Sequence, residues 1–116
     1  MTDRPDDLTP VVLALIEQNL KLRSQLEHNE QFLRSALSEI AEGSRLTDVL
    51  EQHPVRATME ATDHAVTGLF EARHKVRNAV IRIALSEGMS VEDIANVFGA
   101  SPDRVRSAAL DQFPTG

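Results

Sequence analysis

Four basic residues crowd one stretch of this chain: Arg73, Lys75, Arg77 and Arg82, with no acid between the first and the last. A guanidinium donates paired hydrogen bonds to phosphate or carboxylate oxygens, and an ammonium attracts the same anions as a point charge. On a helix Arg73 and Arg77 share a face, whereas Lys75 and Arg82 fall nearly opposite. The four are therefore not one patch, and the rival role for each is an ordinary solvated face. A second spacing, Glu71-Ala72-Arg73-His74, is the Glu-x-x-His of carboxylate-bridged metal bundles. The apolar pattern around it puts Glu71 and His74 on the outside of their helix, so no metal site is expected. His28, His53 and His64 have no partner at ligand spacing. There is no cysteine, which excludes disulfides and thiolate-ligated zinc. No glycine-rich phosphate loop and no nucleophile motif occurs. Neither an enzyme nor a cofactor is expected.

Charge confines any contact with a polyanion to one half of the molecule. The chain carries a net −6 over 116 residues. Residues 1–55 carry −5 of this and residues 56–116 only −1. Duplex DNA binding leans on Lys and Arg, so the acidic first half reads as scaffold. Aromatic residues are scarce: four Phe, no Trp and no Tyr. A large sandwich or barrel core draws on such residues, so an all-helical protein packed with Leu, Ile, Val and Ala is predicted. The apolar run from Val11 to Ile16 is too short to span a bilayer. It follows Asp3, Asp6 and Asp7 where a secretory signal carries positive charge. A cytoplasmic protein is expected, located at the nucleoid if it binds DNA.

The elements that must carry these residues follow from periodicity. Residues 1–7 are polar and predict a disordered tail. Thr9 followed by Pro10 predicts a helix start, with Thr as N-cap. A seven-residue pattern then runs to Gly43. Val12, Asn19, Leu26, Leu33 and Ile40 occupy one position; Leu8, Leu15, Leu22, Asn29 and Ala36 occupy the other. Such a seam predicts a coiled coil or bundle helix, with Asn19 at a position where a polar residue fixes register. Gly43-Ser44 ends it. Leu46, Val49 and Leu50 suggest one or two amphipathic turns before His53-Pro54. A second seam runs through Val55, Met59, Thr62, Val66, Leu69, Arg73, Val76, Val80 and Ile83 to Gly88. Thr67-Gly68 is the expected kink, because glycine weakens a helix interior by about 1 kcal/mol. Each long helix would extend about 50 Å at 1.5 Å per residue. A helical-hairpin stalk over residues 8–71, pairing with a second copy as a dimeric four-helix bundle, is the simplest architecture. Val12, Leu15, Asn19, Leu22, Leu26, Leu33, Ile40, Met59, Val66 and Leu69 are its candidate oligomerisation residues. The alternative is that the seams satisfy one another within one chain.

The C-terminal part has the most specific pattern. Val76–Leu85 is apolar on two sides, as if packed both on the stalk and on a following module. Ser90 reads as an N-cap, with Asp93 at the third helical position. Gly99 supplies a left-handed turn that side-chain-bearing residues resist. Ser101 caps the next helix and Pro102 takes its first position. Val91, Ile94, Ala95, Phe98, Val105, Ala109 and Leu110 form the expected core with the end of the preceding helix.

The string GMSVEDIANVFGASPDRVRSAAL resembles the helix-turn-helix superfamily, as in resolvase C-terminal domains, sigma-factor region 4 and small bacterial regulators. Ile94-Ala95, Phe98-Gly99, Ser101 and Val105 carry the resemblance. It implies a helix-turn-helix module over residues 72–113, whose first helix is shared with the stalk. It also implies a reading helix over residues 101–112 that enters the major groove of double-stranded DNA. The implied DNA-binding residues are Ser101, Asp103, Arg104, Arg106 and Ser107, joined by Arg73 and Arg77 from the preceding helix. Arg106 is the candidate for a bidentate guanine contact, and Arg104 could serve a phosphate. Asp103 and Asp111 depart from the basic character of such helices. The expected function is a homodimeric DNA-binding protein, either a transcriptional regulator or a nucleoid-associated factor. The alternative is a non-enzymatic adaptor that uses coiled coil and module for protein contacts.

Overall fold

The structure, a computed structural model, describes residues 4–110. Those residues are all-helical, with five α-helices in the order α1 (Leu8–Ala41), α2 (Leu46–Gln52), α3 (Val55–Ser86), α4 (Val91–Phe98) and α5 (Pro102–Leu110). No helix among them is long and apolar enough to cross a membrane. The start of α1 differs from expectation. Pro5–Asp7, placed in the disordered tail by composition, form a 3-10 turn that leads directly into the helix at Leu8. The Asp7 carboxylate accepts the Arg4 N–H at 2.9 Å. That bond satisfies an orphan donor at a helix start and removes the need for Thr9 as N-cap. Asp111 and Phe113, and with them the end of the expected reading helix, lie outside the described residues.

The chain forms two compact units: residues up to Glu17 with those from Phe70 onward, and Gln18–Leu69. In the Gln18–Leu69 unit, α1 and α3 run antiparallel. Gln18 lies against Gly68, and Asn29 Nδ2 donates to Thr62 Oγ1 at 2.8 Å. Early positions on α1 thus meet late positions on α3. Thr62 Oγ1 in turn donates to the Thr58 carbonyl, and Gln25 Nε2 donates to Asn29 Oδ1. Gln25, Asn29 and Thr62 are all half-buried, so a polar relay threads the seam. Asn29 thus makes a cross-helix hydrogen bond; Asn19, at the position expected to fix register, is exposed.

Packing selects only one of the two expected columns on α1. Leu8, Leu15, Leu22, Asn29 and Ala36 are half-buried as predicted. Their companions are Val11, Gln18, Gln25, Phe32 and Glu39, whereas Leu26, Leu33 and Ile40 are exposed. On α3 the expected seam holds except at Met59 and Arg73, both exposed, whose places are taken by Thr58 and Ala72. Smaller side chains permit closer approach of helices. The helix also continues through Thr67-Gly68 without a break. At the turn, α2 buries Val49. The His53 ring meets Phe32 edge-on at 5.2 Å and pairs with Glu39 through Nε2 at 2.7 Å.

In the other unit, Ile81 of α3, Ile94 and Ala95 of α4, and Val105 and Ala108 of α5 form one buried cluster. Full burial of an aliphatic side chain contributes about 1.5–3 kcal/mol, which makes Ile81, Ile94 and Val105 its main supports. Ala79 and Ile83 are buried outside that cluster, so the two-sided end of α3 is as expected. Two expected core residues are not in it: Phe98 is 38% and Leu110 80% exposed. Ala108 takes the inward place on α5, because the helix turns Leu110 away once Val105 is fixed inside.

Candidate nucleic-acid interface

Local hydrogen bonding positions the interface. Ser90 Oγ accepts the Asp93 N–H at 3.1 Å and starts α4. Gly99 ends it with φ 65° and ψ 33°, and the Ala100 N–H returns to the Ala95 carbonyl at 3.0 Å. Ser101 Oγ then accepts the Arg104 N–H at 3.2 Å and starts α5, with Pro102 at its first position. Three backbone constraints within twelve residues fix the direction in which α5 leaves α4.

That direction brings α5 beside the end of α3. Arg73, His74 and Arg77 of α3 line a cleft with Arg104 and Ser107 of α5, and Phe98, Gly99 and Ala100 complete the wall. Among the described residues no carboxylate lines it. Three guanidinium-bearing side chains and a histidine thus share one concave surface on a chain of net −6. Arg77 Nη2 donates to His74 Nδ1 at 2.7 Å, which uses the neutral ring as acceptor. The Arg73 guanidinium lies 5.9 Å from the centre of the Phe70 ring, in cation–π range. Both contacts are between neighbours one helical turn apart, and both pre-orient a cation.

Four of the seven DNA-contact candidates meet here: Arg73, Arg77, Arg104 and Ser107. The other three do not. The Ser101 hydroxyl is engaged as helix cap. Arg106 Nη1 donates to Asp103 Oδ1 at 2.9 Å, and Arg106 Nη2 lies 3.9 Å from Glu92. The residue favoured for a base contact is therefore held by two acids, and a base edge would have to displace them. Sequence reasoning missed His74 and Phe98 as members of the cleft. The signal for His74 was its spacing to Arg77; Phe98 was assigned to the core.

Of the oligomerisation candidates, Val12, Leu15, Leu22, Val66 and Leu69 are half-buried within the chain, and Asn19, Leu26, Leu33, Ile40 and Met59 are exposed. Leu15 lines a second cleft with Phe70, Arg73, Val76, Val80 and Phe98. Among the described residues no group of His, Cys, Asp and Glu could hold a metal. No protein-family model, no curated protein and no solved structure matches this chain.

Proposed function

We propose that the chain is a non-enzymatic DNA-binding protein in which α4, Gly99 and α5 form a helix-turn-helix. The cleft of Arg73, Arg77, Arg104 and Ser107 holds the phosphate backbone beside it. The carrying observation is that concentration of positive charge on an otherwise acidic molecule. Phosphate contacts supply affinity, while base edges supply sequence preference. The division here is Arg73, Arg77 and Arg104 for the backbone, and Arg106 for a base once it exchanges Asp103 for guanine. A homodimer would read a two-fold site.

A fluorescence-anisotropy titration over a salt series tests this. Alanine at Arg73, Arg77 or Arg104 should weaken binding to every duplex and reduce the salt slope by about one. Arg106→Ala should cost about 1–3 kcal/mol only on a selected site. Wild-type affinity weaker than about 10⁻⁴ M at physiological salt falls below non-specific binding and defeats the proposal. One observation favours the adaptor instead. The second cleft sets Leu15, Val76, Val80 and Phe98 beside the arginines, a combination suited to an apolar, acidic peptide segment. Absence of duplex binding by the wild type, together with binding of an apolar, acidic peptide that Arg73→Ala weakens, would point there.

A further inference from the structure

One face of α1 in the Gln18–Leu69 unit is apolar yet exposed. In the Gln18–Leu69 unit the covered positions of α1 are Gln18, Leu22, Gln25, Asn29, Phe32, Ala36 and Glu39, each half-buried. About a quarter-turn round the helix lies a second stripe with the same alternating steps of four and three: Asn19, Arg23, Leu26, Glu30, Leu33, Leu37 and Ile40. Its four large apolar members are between 42% (Ile40) and 69% (Leu37) exposed. A helix with two apolar seams is built for two neighbours, and the hairpin supplies one. An exposed apolar stripe rimmed by polar residues marks an interaction surface.

The charges within the stripe identify the partner and its direction. Arg23 and Glu30 are the only ionisable residues in it, with Leu26 between them. Arg23, Leu26 and Glu30 also line one shallow groove on α1. In a parallel, in-register pair of this helix with itself, Arg23 would face Arg23 and Glu30 would face Glu30, which is repulsive twice over. In an antiparallel pair centred near Leu26, each Arg23 comes within one helical turn of Glu30 on the other copy, and the contact occurs twice by symmetry. Glu30 also accepts from Arg34 within its own helix at 2.9 Å, and this leaves its second carboxylate oxygen for the partner.

We infer that the Asn19–Leu33 part of this stripe binds the same part of a second copy in antiparallel orientation. Leu26 lies near the two-fold axis and reciprocal Arg23–Glu30 pairs flank it. The inference deepens the dimer named in the proposed function but uses no residue of the arginine cleft. A failure of DNA binding would therefore leave it standing.

The absence of cysteine makes the chain suited to site-specific labelling. Sedimentation equilibrium at tens of micromolar should give twice 12.8 kDa. Arg23→Glu should weaken the dimer at least tenfold, because Glu would then face Glu30. Adding Glu30→Arg should restore it, with helicity by circular dichroism unchanged throughout. A spin label at Ser38→Cys should report a separation of roughly 30–35 Å across the antiparallel pair. In a parallel pair the labels would sit below about 20 Å, since packed helices lie 8–10 Å apart. A monomer overturns the inference. So does a dimer indifferent to Arg23→Glu, one not rescued by the charge swap, or one with the short label distance.

Discussion

Gly99 allows a backbone cost to be measured without a steric one. Its φ of 65° and ψ of 33° are left-handed, and a Cβ built there would meet nothing within 4 Å. Any penalty of substitution therefore comes from the conformation alone. That penalty is about 1–2 kcal/mol for an L-residue and larger for a β-branched one. Asn visits this region more readily than Ala, so the expected order of damage is Val, then Ala, then Asn. A loss of 1–2 kcal/mol changes an opening equilibrium by a factor of about 5–30. The assay is native-state hydrogen exchange. The slow amides of Ile94, Ala95 and Val105, which sit in the buried cluster around the turn, should exchange faster by that factor in Gly99→Ala. Those of Val105 and Ala108 should follow the same order across the series, because α5 is aimed by this residue. Amides of α1 within the Gln18–Leu69 unit should keep their wild-type rates. Equal effects of Ala and Asn, or no effect of Val, would refute the role given to the left-handed turn.

Three further outcomes are expected, each read from urea denaturation. Gly68→Ala should be neutral or stabilising by up to about 1 kcal/mol. The added Cβ would sit 2.5 Å from Gln18 Oε1, but that atom ends a flexible side chain that can swing aside; a loss above 1 kcal/mol would show that it cannot. His53→Ala should cost about 1–2 kcal/mol, from loss of the edge-on contact with Phe32 and of the part-buried hydrogen bond to Glu39. Asn29→Leu combined with Thr62→Val should cost less than the two single variants summed, because the Asn29–Thr62 hydrogen bond is lost only once. A double variant that is weaker than the sum of the singles would contradict this.

What the sequence determined by itself was set within one or two helical turns. Gly43, Ser90, Gly99, Ser101 and Pro102 each bias their own backbone and the next few hydrogen bonds, so most helix ends were legible from them. So was the pairing of Arg73 with Arg77, which depends only on helical pitch. The turn at Arg4–Asp7 is not legible in this way, because a capping carboxylate on the last residue of a polar tail looks like any solvated acid. Tertiary structure decided which faces are covered. On α1 two adjoining columns are apolar enough to form a seam, and periodicity cannot choose between them. The choice fell to Asn29 and Thr62, thirty-three residues apart, whose hydrogen bond closes only when α1 turns Gln25 and Phe32 inward and leaves Leu26 and Leu33 outside. The same holds for the arginines. Arg104 and Arg106 are equivalent on paper, two residues apart on one short helix. Once Val105 between them is buried against Ile81 and Ile94, they must leave on opposite sides, Arg104 toward Arg73 and Arg77 and Arg106 toward Asp103 and Glu92.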